Sequence, residues 1–173
     1  LRTGASPHHG VAAGPMTPVV EQLQALPDSD IRAMAIYLAS LNPPLSPDDI
    51  AIRRGNVIAA TSTETHRPTN EAARLFDGAC AVCHEPGRGP TMFNQGPPLG
   101  LNTNLHLDRA DNFLNVVLNG IEYSTHGAMP GFRNALDNKQ IAELARYARQ
   151  RFAPGKAPWK NLEETIEHLR KAH

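Results

Sequence analysis

The sequence predicts an all-α chain whose helices are joined by long ordered loops. Three observations carry that expectation. Glycine and proline are abundant, with 13 and 15 in 173 residues, which favours loops over a continuous sheet. Apolar residues recur at helical spacing, as in Ile31, Met34, Ala35 and Leu38, the i, i+3, i+4, i+7 stripe of an amphipathic helix. The aromatic complement is thin, at five Phe, three Tyr and one Trp, which leaves room in the core for something that is not a side chain.

In chain order, residues 1–16 read as loop. Thr17-Pro18 resembles an N-cap followed by Pro at the first helical position, and the helix it opens carries Val19, Val20, Leu23 and Leu26. Pro27 ends that helix, and Asp28 is placed to cap the next, which bears the Ile31–Leu38 stripe. Residues 43–69 read as a linker, with Pro43, Pro44 and Pro47, a short helical piece over Ile50–Ile58, and a polar run. A helix resumes near Glu71 and runs through Ala72, Leu75 and Phe76 into two cysteines.

Residues 85–107 form a loop dense in Gly and Pro before Leu99, of the length that usually wraps something. Asp108 is placed to cap a helix with Asp111 three residues on. Its face is Phe113, Val116 and Val117, and Gly120 suits its end. A second loop, 121–136, contains Gly127-Ala128-Met129-Pro130-Gly131-Phe132. Asp137 with Gln140 caps the last strong helix, which carries Ile141, Leu144, Ala145 and Tyr147 and stops at Pro154. The tail from Trp159 to His173 is expected to add a short exposed helix.

Charge and hydropathy exclude several classes. Lys plus Arg and Asp plus Glu each number 17, for a net charge of zero with His neutral, so a broad nucleic-acid or anionic-membrane surface is not expected. No apolar run approaches the roughly 18 residues of a membrane span. Two cysteines make no disulfide framework. Residues 1–10 hold no apolar signal-peptide core, and the chain reads as a fragment of a longer one.

An internal repeat supports that. Ile31, Met34, Ala35 and Tyr37 match Ile141, Leu144, Ala145 and Tyr147 in spacing, and each set follows a methionine flanked by Gly and Pro, Met16 and Met129. Residues 1–42 thus read as the back half of a unit whose complete copy spans 70–153, leaving 154–173 as a tail.

The decisive string is Cys80-Ala81-Val82-Cys83-His84. C-x-x-C-H is the attachment signature of c-type haem. The spacing puts both thiols on one side of a helical turn, where they bond to the haem's vinyl-derived carbons, and it sets His84 beneath the iron. Covalent linkage lets a small domain hold a large apolar cofactor, and the porphyrin accounts for the thin aromatic core. A thioredoxin-like dithiol would follow a strand, and zinc would need more ligands in a tight cluster.

Candidates for the second axial ligand are Met92, His106, His126 and Met129. Met129 is favoured: it lies 45 residues after His84 in a loop between helices, and Pro130 with the flanking glycines lets the backbone approach the porphyrin. A thioether is a soft ligand that raises the potential. Met92, eight residues after His84, is poorly placed to reach the opposite face. A ligating histidine usually donates its other N–H to a carbonyl; in Gly96-Pro97-Pro98-Leu99, the Pro97 carbonyl is the candidate acceptor.

With these residues in view, 70–153 resembles a class I cytochrome c domain. Phe76 stands four before the first cysteine; Gly96-Pro97 is similar to the family's segment on the His side and Ala128-Met129-Pro130 to its methionine-ligand loop. Leu144 and Tyr147 match the C-terminal helix that crosses the N-terminal one. Ala72 departs from the family, which often has Gly there. The run Pro97-Pro98-Leu99-Gly100-Leu101-Asn102-Thr103-Asn104-Leu105-His106 resembles the cytochrome subunit of nicotinate- and isoquinoline-type molybdenum hydroxylases and, less closely, that of quinoprotein alcohol dehydrogenases.

The resemblance implies a class I fold preceded by the helical back half of a second cytochrome c domain. It implies one covalent haem c with His84 and Met129 on the iron, and Met16 as a distal ligand whose own C-x-x-C-H is missing. It further implies one-electron transfer at the periplasmic side of a bacterium. Electrons would arrive from a dehydrogenase catalytic subunit, which itself carries the catalysis, and leave toward a quinone or terminal oxidase. The rival expectation is a haem enzyme or gas sensor with an open or labile sixth site.

Overall fold

The computed structural model describes residues 1–6, 9–12, 16–61, 70–85, 96–124 and 127–172. It is mainly helical, as expected. Among the described residues, eight α-helices follow in order: α1 (Thr17–Gln24), α2 (Asp28–Ser40), α3 (Pro47–Thr61), α4 (Glu71–Ala79), α5 (Ala81–His84), α6 (Asp111–Asn119), α7 (Asn138–Phe152) and α8 (Leu162–Lys171). Two 3-10 turns, Leu99–Leu101 and Thr103–His106, lie between α5 and α6. Two small antiparallel hairpins complete the described elements: β1 (Ala5–Ser6) with β2 (Gly10–Val11), and β3 (Ile121–Ser124) with β4 (Gly127–Met129).

The core sits between α4, α6, α7 and α8. Leu105, Leu114, Leu118, Ile141, Leu162 and Ile166 are its largest fully buried side chains. α7 is its central strut. The expected capping box is present: the Asp137 carboxylate accepts the Gln140 N–H at 2.8 Å, and the Gln140 side chain accepts the Asp137 N–H at 3.0 Å. α7 packs against α4, and both carry small buried residues, Ala142, Ala145 and Ala148 on α7 and Ala73 on α4, which suit a close approach of the two backbones. Phe76 then packs its ring 5.4 Å from those of both Tyr147 and Phe152.

Several elements depart from the sequence expectations. α6 begins at Asp111 with Ala110 before it, not after a cap at Asp108. The Leu107 carbonyl explains this: it accepts from Arg149 and from the Trp159 indole, each at 2.9 Å, which pins the chain extended there (Leu107 φ −75°, ψ 154°). Loop 121–136 contains the β3–β4 hairpin, too short for a period-two pattern to announce. The 43–69 segment holds α3, 15 residues long rather than a short piece, with the Asp49 N–H donating to the Ser46 hydroxyl at 3.1 Å.

The tail helix is not exposed. Leu162 and Ile166 of α8 are buried, as is Trp159 ahead of it. Leu162, Ile166 and Leu169 stand at i, i+4 and i+7, an apolar stripe that covers α6 and α7.

The N-terminal third contrasts with this. α1, α2 and α3 contain no buried residue. On α2 the expected stripe is only half covered at Ile31 and Met34, and Tyr37 is 65% exposed. His9 Nδ1–H donates to the Leu101 carbonyl at 2.9 Å, joining the first hairpin to the loop after the cysteines.

Candidate functional site

The site grows from the end of α4. The Asn70 side chain accepts the Ala73 N–H at 2.8 Å and starts the helix. Burial of Ala73 and Phe76 fixes its face. The helix stops at Cys80 (φ −118°, ψ −40°), whose carbonyl accepts from both Cys83 N–H, at 3.1 Å, and His84 N–H, at 3.0 Å. Cys80, Cys83 and His84 therefore share one tight turn, and a helix leads into it rather than the strand a thioredoxin-like site would want.

The 96–99 segment closes over that turn. Gly96 N–H donates to the Cys83 carbonyl at 3.2 Å. A Cβ at Gly96 would lie 2.7 Å from both that carbonyl oxygen and His84 Nδ1, so only glycine fits without displacement. His84 Nδ1–H points at the Pro97 carbonyl at 3.4 Å, a long hydrogen bond. Burial lowers the His84 pKa, and the Pro97 bond acts more weakly in the opposite direction. Burial thus favours the neutral imidazole, and the Nδ1–H bond to Pro97 leaves Nε2 as the nitrogen with a lone pair to offer a metal.

The two thiols are free and half-buried. Burial, with Cys83 beside it, pushes the Cys80 thiol up to about 12. A redox dithiol requires the opposite, a thiolate stabilised near neutrality. Two free thiols on one turn, a buried oriented histidine and the close approach that Gly96 allows fit a covalently attached haem c.

Met129 ends β4 and is half-buried against the core. Gly120, at φ +75°, makes the fold-back possible: a Cβ there would sit 2.3 Å from the Met129 carbonyl. Beyond it, Phe132 and Arg133 donate their N–H groups to the Val117 and Leu118 carbonyls at 2.9 and 3.0 Å. Of the other ligand candidates, His106 gives Nε2–H to the Gly100 carbonyl at 2.8 Å and so braces its own loop. Met92 and His126 lie outside the described residues. Met16 precedes α1 and is 50% exposed.

One pair at the site was not foreseen. Glu85, next after His84, is buried and ion-paired with Arg151 of α7. The Arg151 guanidinium lies 5.2 Å from the Phe76 ring centroid and 4.7 Å from that of Phe152, and it donates to the Tyr147 hydroxyl at 3.0 Å. No local pattern pairs residues so far apart in sequence; the weak signal was Tyr147 and Arg151 at i, i+4 on a helix otherwise patterned for burial.

Comparison with known proteins places the chain among cytochrome subunits of dehydrogenases. Residues 67–147 match the family described as cytochrome C oxidase, cbb3-type, subunit III, a span that includes Cys80, Cys83, His84, Pro97 and Met129. The chain is 44% identical, over 98% of its length, to a nicotinate dehydrogenase subunit of Pseudomonas putida. It is 28% identical over 91% of its length to the fructose dehydrogenase cytochrome subunit of Gluconobacter japonicus. It is 29% identical over 90% to the cytochrome c subunit of the quinone alcohol dehydrogenase of Gluconobacter oxydans. It spans 14%, 36% and 34% of those three relatives. Among the described residues, no helix is long and apolar enough to cross a membrane.

Proposed function

We propose that this chain, which carries a cytochrome c domain within residues 67–147, transfers single electrons through one haem c held by Cys80, Cys83, His84 and Met129. The observation that carries the reading is the turn in which the Cys80 carbonyl gathers Cys83 and His84 while the Pro97 carbonyl faces His84 Nδ1. When bound, the haem supplies a one-electron iron couple.

The chain's own residues define how that couple is used. Cys80 and Cys83 anchor the cofactor covalently. Pro97 fixes the His84 ring and raises the basicity of Nε2. Met129 would be the second protein ligand to the haem iron, and with both protein ligands in place the haem would supply outer-sphere electron transfer rather than substrate chemistry. Around it Ala128, Pro130 and Gly131 are exposed, a small apolar rim suited to brief docking of a redox partner. With a net charge of zero, docking should depend little on salt.

The names of the relatives support a place in a dehydrogenase assembly. Electrons would come from a catalytic subunit and leave toward a quinone or terminal oxidase, on the periplasmic side of a bacterium. Residues 1–42 would be the back half of a preceding cytochrome c domain, 43–69 a connection containing α3, and 70–153 the haem domain with 154–173 following it. The half-covered α2 stripe supports this, because its counterpart on α7 is buried at Ile141, Leu144 and Ala145.

The test is a visible spectrum of oxidised and reduced protein, with haem quantified per chain. The reading expects one low-spin haem, inert to carbon monoxide, with the ferric methionine–iron band. A high-spin or carbon monoxide-binding haem would overturn the Met129 assignment in favour of an open-site enzyme or sensor.

A further inference from the structure

We propose that Arg133 and Arg170 are positioning residues: a reciprocal clamp through which the terminal helix α8 holds the Met129 loop against the haem site. This rests on the His84/Met129 reading of the site.

After Met129 the chain must turn through Pro130 and Gly131 and reach α7 at residue 138. This stretch contains no helix or strand, so its rigidity must come from elsewhere. One anchor is the end of α6, whose Val117 and Leu118 carbonyls accept from Phe132 and Arg133 N–H. The other is α8. The Arg133 guanidinium donates from Nη1 to the Arg170 carbonyl at 3.1 Å and from Nη2 to the Leu169 carbonyl at 3.3 Å. From Nε and Nη2 it also donates to Asn119 Oδ1, at 3.1 and 2.8 Å. Arg170 returns the contact, donating from Nη1 to the Arg133 carbonyl and from Nη2 to the Leu136 carbonyl at 2.6 Å.

Among the described residues, neither guanidinium is paired with a carboxylate. Each instead faces carbonyl oxygens, and those Arg133 meets belong to the last turn of α8, the negative end of that helix. Docking of α8 does not depend on these bonds, because Trp159, Leu162 and Ile166 are buried. What the bonds add is a fixed path for residues 133–136, four to seven after the ligand. A methionine whose following segment is held by two elements is released less often than one whose following segment is held by one.

The experiment uses the full haem-loaded chain. Arg170→Gln and Arg133→Gln are compared with Arg170→Lys, which keeps the charge but not the two-pronged donor. Asn119→Ala, at an exposed position, removes only a brace and does not threaten folding. Arg146→Gln cuts a different α7–α8 contact and serves as control. Readouts are the ferric methionine–iron band, the rate of carbon monoxide binding to the ferrous protein, and the thermal midpoint.

The clamp predicts carbon monoxide binding about tenfold faster or more in the Gln variants, the scale of a lost charge-assisted hydrogen bond. It also predicts a weaker ferric band, an intermediate effect for Arg170→Lys and Asn119→Ala, and none for Arg146→Gln. Variants that keep the band and their inertness to carbon monoxide while only the midpoint falls would overturn the clamp and leave the ligation reading intact. Absence of the band in the unsubstituted chain would overturn the ligation reading itself, and the clamp with it.

Discussion

Glu85 and Arg151 form a buried ion pair that ties the residue after His84 to α7. The pair closes across Phe76, Tyr147 and Phe152, with Arg151 over the rings of all three. The Cys80–His84 turn is thereby attached to α7 by charge as well as by packing. Removing one partner strands the other in a nearly dry site, whereas removing both does not. Glu85→Gln or Arg151→Met alone should cost about 3–5 kcal/mol in denaturant unfolding. The double variant Glu85→Gln with Arg151→Met should recover a large part of that loss, as a double-mutant cycle would measure.

Gly96→Ala places a methyl group in contact with the Cys83 carbonyl and His84 Nδ1. The chain must open there, and the Pro97 carbonyl moves away from the ring. Loss of such an outer partner weakens a ligand by about 10–100-fold. The expected result is a low-spin spectrum lost at lower guanidinium concentration than in the parent.

Met129→His exchanges a thioether for a stronger donor to ferric iron. The reduction potential should fall by an appreciable part of the roughly 0.8 V range that axial ligands command, with the low-spin spectrum retained. Met129→Ala should instead admit carbon monoxide. Potentiometric titration and ligand-binding spectra separate the two results, and an unchanged potential in both would place the sixth ligand elsewhere.

The two ends of the chain should respond differently to substitution. Ile166→Ala, at a position with no exposed surface, should destabilise by about 2–5 kcal/mol. Ile36→Ser, at a position 63% exposed, should change stability by less than about 0.5 kcal/mol. Equal losses at both sites in chemical denaturation would mean that α2 is covered in solution.

Arg146 holds the Glu163 carboxyl below its ordinary value of 4.5, chiefly through their hydrogen bond. A depressed folded-state pKa gives stability that is present above the unfolded value and lost as pH falls through the folded one. The pair is exposed and screened, so the effect should stay below about 0.5 kcal/mol. The thermal midpoint of the parent should drop slightly more than that of Glu163→Gln as pH is lowered past 4.5.

Local chemistry was legible in the residues themselves. Five consecutive residues, Cys80 to His84, carry the haem proposal because covalent attachment would need two thiols one helical turn apart and a histidine beside them. The Asp137–Gln140 cap and the α7 stripe were readable for the same reason: each is settled by side chains a few positions apart. Glycine at 96 and 120 was visible as punctuation, though not its purpose, which lies in what a Cβ would strike across the fold.

Contacts between distant segments were not legible. Nothing near Glu85 announces Arg151, and nothing near Met129 announces Arg170. The stripe on α2 has the spacing of the one on α7, yet α7 is buried by α4 and α8 while much of α2 faces outward. Spacing defines which face of a helix is apolar; only the packed chain decides whether another element arrives to cover it. The sequence by itself determined the Cys80–His84 turn and the helices around it, because these follow from short-range geometry. The tertiary structure alone decided how Glu85 is neutralised, how the tail joins the core and what braces the Met129 loop, because these depend on surfaces that meet only after folding.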